Sequence, residues 1–211
     1  MNEYIFLISG GLLAYLMGSF SSAVWIGKWF YKTDVRLQGS GNAGATNTFR
    51  VLGGKAAIVV MSIDILKAYG AVMMAHFFAG ENFSESQFID YQIILGALAV
   101  LGHVFPVFTG FKGGKGVASL VGVIIALYSP YIFLIVLSWF ILILALTRYV
   151  SLASITAAIL FTVLAIFVFH EQNIYLIVLA YLISIFIPLT HYKNIQRLIR
   201  GEENKLSFRK K

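Results

Sequence analysis

The chain has 211 residues, of which 59% are hydrophobic and only 12% charged; its formal net charge is +7 and it has no cysteine. Soluble domains carry roughly 25% charged residues, so the composition excludes an ordinary soluble fold and points to several membrane spans. Without cysteine there is no disulfide framework, thiolate metal site or cysteine nucleophile. The basic residues lie beside apolar runs, which favours anionic lipid and anionic substrate as partners over nucleic acid.

The first apolar stretch, Tyr4–Ile26, has an acidic flank at Glu3 and no basic lead-in, so it reads as a span and not a cleaved signal. A glycine-rich run follows, Gly39-Ser40-Gly41-Asn42-Ala43-Gly44-Ala45-Thr46-Asn47, with Arg50 close behind. Ala56–Ala79 is the second stretch and carries Asp64 and Lys67 three residues apart, expected to form a mutual ion pair. Tyr91–Phe108 is the third, with His103 expected as a hydrogen-bonded helix end ahead of Phe105-Pro106. A second glycine run, Lys112-Gly113-Gly114-Lys115-Gly116, leads into Val117–Leu146, which Ser129-Pro130 interrupts and is expected to break. Leu152–Phe169 begins beside Ser151 and Ser154, and Ile174–Leu189 runs into a basic tail that opens with His191, Asn194 and Arg197.

Charge predicts the span count. With Val117–Leu146 split in two, there are seven spans and the N-terminus lies outside. The inner loops and the C-terminal tail then hold 15 of the 16 basic residues, Lys67 being the exception. Glu3, Glu81, Glu85, Asp90 and Glu171 fall outside with no Lys or Arg, as the positive-inside rule requires. The expected fold is therefore an all-α bundle of seven transmembrane helices with a cytoplasmic C-terminus, a single membrane-embedded domain over residues 1–211. Both glycine runs and the tail then share the cytoplasmic face.

Glycine runs with hydroxyls, amides and cations suit oxyanions, because bare backbone N–H groups approach closely and the cations offset charge. Gly39-x-Gly41-x-x-Gly44 has the letters of a dinucleotide fingerprint, but spans flank it where a βαβ unit is needed. The second run is not a Walker A loop, since Thr109 stands at the first glycine position and Gly116 where a magnesium-binding hydroxyl belongs. Substrate contacts are expected from Gly39, Ser40, Gly41, Asn42, Thr46, Asn47 and Arg50, and from Lys112, Gly113, Gly114, Lys115 and Gly116. Ser151 and Ser154 are either helix caps or substrate contacts. His191, Asn194 and Arg197 share one helical face, which fits an amphipathic juxtamembrane helix or a functional cluster. No spaced His/carboxylate set suggests a catalytic metal.

The segments GSGNAGATNTFR (Gly39–Arg50), GHVFPVFTGFKGGKGVA (Gly102–Ala118) and HYKNIQRLIRGEE (His191–Glu203) resemble, in order and spacing, the PlsY family of bacterial acyl-phosphate:glycerol-3-phosphate acyltransferases. The resemblance implies acyl transfer from acyl phosphate to the sn-1 hydroxyl of glycerol 3-phosphate, giving lysophosphatidic acid and phosphate at the start of phospholipid synthesis. It implies a monomer in the bacterial cytoplasmic membrane that needs no cofactor. By motif position, Ser40, Arg50 and Lys115 would bind glycerol 3-phosphate, with Lys115, His191 and Asn194 needed for catalysis. Glu202 would be structural, and one of Ser151 and Ser154 would contact substrate. Acyltransferases of the H-x-x-x-x-D type are disfavoured, because Glu81, Phe108, Tyr175 and Gln196 stand where Asp is required. An organophosphate transporter would need inverted repeats and midplane polar groups, and of the charges only Asp64 and Lys67 lie deep. A lipid-interacting scaffold leaves the glycine runs without a role.

Overall fold

A computed structural model gives the fold and describes residues 3–80 and 83–207. Among the described residues every regular element is helical, and the helices sort into two compact units, Met1–Leu127 and Tyr128–Lys211. Of the charges counted for orientation, Glu81, Arg209, Lys210, Lys211 and the Glu3 side chain lie outside what is described.

The first unit contains α1 (Glu3–Ser19), α2 (Ser22–Tyr31), α3 (Ala45–Leu52), α4 (Gly54–Met73), α5 (Ala75–Phe78), α6 (Glu85–Val104) and α7 (Val117–Leu127). Helix α4 is the hub and packs against α1, α2, α3, α6 and α7. Small residues let the helix backbones nearly touch, the usual route to association where water supplies no hydrophobic drive. At the α1–α6 crossing a Cβ on Gly18 would strike the Ala99 carbonyl, and one on Gly102 the Tyr15 carbonyl. A capping box starts α6: the Ser84 hydroxyl accepts from the Gln87 N–H, and the Gln87 side chain accepts from the Ser84 N–H. Asp64 and Lys67 pair at 2.8 Å, as their spacing on α4 leads one to expect.

The second unit contains α8 (Pro130–Thr147), α9 (Val150–Val163), α10 (Ile174–Thr190) and α11 (Tyr192–Ile199). The chain breaks at Ser129-Pro130, where proline occupies the first helical turn and the Ser129 hydroxyl accepts from the Tyr131 N–H. Helix α9 continues into a π-helical turn over Leu164–Val168 and packs against α8 and α10. The Tyr128 hydroxyl donates to the Leu176 carbonyl at 2.6 Å, and its ring meets Phe161 edge-on. Helix α8 leaves most of its apolar side chains exposed, among them Tyr131, Leu134, Ile141 and Leu146.

The expectation of seven spans does not hold. Among the described residues four helical segments are long and apolar enough to cross a bilayer: Gly54–Phe78, Glu85–Thr109, Pro130–Thr147 and Val150–Val168. The count reaches at most six if two bent pairs each form one span. Those pairs are α1 with α2, bent by 47°, and α10 with α11, bent by 62°. The physical reasons are local. Ser19-Phe20-Ser21-Ser22 interrupts the first apolar run with hydroxyls, and Pro188 lies just ahead of the second bend. Helix α7 has only 11 residues, or roughly 16 Å against a hydrocarbon core of about 30 Å.

Candidate functional site

In the first unit the two glycine runs are brought together by Asp34 and Arg36. Asp34 caps a short 3₁₀ turn at Val35–Leu37 by accepting from the Arg36 N–H at 3.0 Å. Its carboxylate also accepts from Arg36 Nε at 3.0 Å and Nη2 at 2.8 Å, the bidentate fork that arginine alone can supply. The remaining arm, Nη1, reaches across 73 residues of sequence and donates to the Thr109 carbonyl at 2.7 Å. The hydrogen bonds from Arg36 hold the Asp34 pKa down at about 2. Around this staple lies a cavity of about 400 Å³ lined by Asp34, Arg36, Gly41, Thr109, Gly110 and Lys112 among others. One wall thus comes from each glycine run.

Asn47 shapes the first run from inside. Only 1% exposed, it donates from Nδ2 to the Val35 carbonyl at 2.7 Å and the Gln38 carbonyl at 3.1 Å, and Oδ1 accepts from the Ser40 N–H at 2.8 Å. Its amide is thus spent on the loop. Gly39 has φ +61° and Gly41 φ +72°, and a Cβ on Gly39 would strike Asn47 Oδ1, so both the conformation and the contact require glycine. The turn leaves Gly39, Ser40 and Gly41 exposed and Asn42 and Thr46 half-buried, with Arg50 half-buried in the last turn of α3.

The second run follows the Pro106–Gly110 turn and is anchored on α6, the Gly114 N–H donating to the His103 carbonyl at 3.1 Å. Lys112 is exposed, Gly113 and Lys115 are half-buried, and Gly114 and Gly116 are buried where the run enters α7.

The second unit holds a separate polar cluster around Glu203. Its Oε1 accepts from the Ser151 hydroxyl at 2.8 Å and Asn194 Nδ2 at 2.7 Å, and its Oε2 accepts from Arg197 Nε at 2.8 Å. Burial pushes the Glu203 carboxyl up, but the donors Arg197, Asn194 and Ser151 outweigh it and the pKa lies below the usual carboxylate range. Just past the end of α11, Gly201 takes the left-handed conformation (φ +72°) and turns the chain back so that Glu203 lies under the helix. The Leu206 N–H then donates to the Arg148 carbonyl at 2.7 Å and pins the tail to the α8–α9 corner.

Glu203, not Glu202, therefore takes the buried structural position; Glu202 is exposed. Ser154 is also buried, but its hydroxyl donates to the Val150 carbonyl of its own helix at 2.9 Å. His191, 3% exposed at the α10–α11 bend, donates from Nδ1 to the Ile187 carbonyl at 2.8 Å. That bond fixes the tautomer, so Nε2 is the basic nitrogen of the neutral ring. Among the described residues no group of three or more His, Asp or Glu could hold a metal ion.

Three residues that matter here, Asp34, Arg36 and Glu203, are not apparent as site residues in the sequence. Asp34-x-Arg36 has the spacing of a capped turn, and Gly201 marks a helix stop, but the partners Thr109 and Ser151 are distant in sequence.

The family model for "Glycerol-3-phosphate acyltransferase" matches residues 8–201. A glycerol-3-phosphate acyltransferase from Listeria welshimeri is 44% identical over 204 residues, covering 96% of this chain and 98% of its own. Two crystal structures of PlsY (YgiH), an integral membrane glycerol 3-phosphate acyltransferase, share the fold. Its glycerol 3-phosphate form superposes with a TM-score of 0.84 at 38% identity, over 95% of this chain and 96% of that one. For the lysophosphatidic acid form the values are 0.81 and 37%, over 96% of each chain.

Proposed function

We infer the reaction from one premise: the chain belongs to the glycerol-3-phosphate acyltransferase family. It transfers an acyl group from acyl phosphate to the sn-1 hydroxyl of glycerol 3-phosphate, giving lysophosphatidic acid and inorganic phosphate. The observation that carries this reading is the cavity between the two glycine runs, whose walls bring Gly41 and Lys112 together around the Asp34–Arg36 staple. Such a concave, glycine-lined and cation-bearing site suits a phosphate dianion.

Ser40, Arg50 and Lys115 bind the glycerol 3-phosphate, with Lys112, exposed at the start of the second run, adding positive charge. An acyl phosphate is already an activated electrophile, so a covalent enzyme intermediate is unnecessary. The sn-1 oxygen attacks the acyl carbon, the bond from that carbon to the phosphate oxygen breaks, and phosphate departs with the electron pair. Positioning and charge stabilisation supply the acceleration. The hydroxyl proton goes to a substrate phosphate oxygen. His191 Nε2 is the second candidate acceptor, but its Nδ1 is held by a backbone carbonyl rather than by a carboxylate that would stabilise the imidazolium. His191 and Asn194 act in positioning substrate, and Glu203 fixes the Asn194 amide that does so. The excess of Lys and Arg in the loops and tail supports a reaction on the cytoplasmic face of a bacterial cell membrane.

The test is direct. The protein, purified and returned to lipid, receives glycerol 3-phosphate with either palmitoyl phosphate or palmitoyl-CoA. Lysophosphatidic acid from the phosphate donor alone is expected. Product from the CoA donor alone, or from neither, overturns the reading.

A further inference from the structure

Buried between α4 and α6 is a charged set that the reaction above does not use. Lys67 is 8% exposed, and its ammonium meets three acceptors: Asp64 Oδ1 at 2.8 Å, the Phe20 carbonyl at 2.8 Å and His103 Nδ1 at 3.1 Å. Ser22 adds a donor to the same Asp64 oxygen at 2.9 Å. An ammonium has three donors and no acceptor. The same His103 Nδ1 lies 3.4 Å from Asp64 Oδ1, so the ion pair grips one edge of the imidazole from both sides.

The far edge of that ring shapes the second glycine run. A Cβ on Gly114 would collide with His103 Nε2, and its next nearest neighbours are two more atoms of the same ring. A Cβ on Gly113 would collide with the His103 carbonyl, which also accepts from the Gly114 N–H at 3.1 Å. Lys115 is the next residue. A buried ion pair is poor value as a source of stability, since apolar residues of similar size often do as well or better. Here it holds the Nε2 edge of an imidazole against the loop.

We propose that His103 is a positioning residue for the acceptor substrate. Clamped by the Asp64–Lys67 pair, its ring is the template on which Gly113 and Gly114 lie, and it thereby sets where Lys115 presents its ammonium to phosphate. The inference rests on the assignment of Lys115 as a phosphate ligand. His103 touches no reacting atom.

The experiment is a double-mutant cycle between His103→Ala and Lys115→Ala in lipid nanodiscs, reading KM for glycerol 3-phosphate and for palmitoyl phosphate separately. His103→Ala raises the glycerol 3-phosphate KM by about tenfold, a partial loss beside the roughly 10²-fold that a 1 Å misplacement can carry. The palmitoyl phosphate KM stays within about twofold, as expected for a group that acts on one substrate only. In the Lys115→Ala background the same substitution changes the glycerol 3-phosphate KM by less than about twofold, the non-additivity of residues acting through one another. An undiminished effect in that background overturns the proposal. If Lys115→Ala alone leaves the glycerol 3-phosphate KM unchanged, the assignment of Lys115 fails and the proposal with it. A normal cycle for Lys115 with no effect of His103 fails the proposal alone.

A second pair guards against misfolding. Gly114→Ala on its own impairs glycerol 3-phosphate binding through the collision with the ring, and adding His103→Ala restores it to the level of His103→Ala alone. Failure of that rescue also overturns the proposal.

Discussion

Replacing Glu203 by alanine strands three donors in a buried site: the Ser151 hydroxyl, the Asn194 amide and Arg197 Nε, now held at 2.8, 2.7 and 2.8 Å. Arg197 is 37% exposed and can turn to solvent, so the cost is mainly that of the two buried donors, about 1–3 kcal/mol each. Glu203→Gln is milder. Its carbonyl oxygen still serves Ser151 and Asn194, but its NH₂ now faces the Arg197 Nε–H, so one partly solvent-screened, charge-assisted bond worth about 1–2 kcal/mol is lost. For a chain of this size 1 kcal/mol corresponds to about 2–4 °C in Tm, so Glu203→Gln lowers Tm by about 2–8 °C. Glu202→Gln is the control, an exposed position where the expected change is within about 0.5 kcal/mol. Thermal unfolding of the three variants in one detergent, followed by turnover at 25 °C, reads both consequences. The reasoning is refuted if Glu202→Gln destabilises as much as Glu203→Gln, because the buried carboxylate would then be misassigned.

Other substitutions probe the first unit and the His191 bend. Asn47→Asp sets a carboxylate oxygen against the Val35 and Gln38 carbonyls and is expected to cost about 2–4 kcal/mol in thermal unfolding; an effect on substrate KM with no loss of stability would make Asn47 a ligand instead. Asp34 has its folded pKa lowered from 3.8 to about 2. Its contribution is therefore complete above about pH 4 and lost as pH falls toward 2; Asp34→Asn should flatten that part of the Tm–pH curve, and an unchanged curve would count against the staple. His191→Gln should reduce kcat by less than about tenfold if a substrate phosphate takes the proton, whereas general bases contribute about 10²–10⁴; a loss above 100-fold that also abolishes the acidic limb of the pH–rate profile would return the proton to His191.

The helical class and the break at Ser129-Pro130 could be read from composition and proline chemistry, because both depend on local residues. The Asp64–Lys67 pair was legible for the same reason, being three residues apart on one helix. The span count was not. Tyr4–Ile26 is continuous in hydropathy across Ser19–Ser22, where the chain bends by 47°, and loop charge carries no information on whether an 11-residue helix is long enough to cross. Glycine runs could be picked out by composition, but their division of labour could not. Asn47 has the chemistry of a substrate ligand and turns inward because Val35, Gln38 and Ser40 present backbone partners to it. The choice between Glu202 and Glu203 depends on the phase of a turn after Gly201, which an adjacent pair of identical residues hides. His103 shows the same limit, since its partners come from α4 and from a loop beyond its own helix.

The outward apolar face of α8 has a consequence for how this chain can vary. A helix that leaves most of its side chains to its surroundings is constrained by transfer free energy alone and not by the shapes of neighbours. Exchanges among Leu, Ile, Val and Phe there should be nearly neutral, each differing by only tenths of a kcal/mol in a bilayer, while a single Arg or Lys at mid-helix costs about 2.5–3.5 kcal/mol. Across relatives, α8 should therefore drift freely in sequence while holding its oiliness fixed, and its residue identities should carry almost no record of the chemistry that the rest of the chain performs.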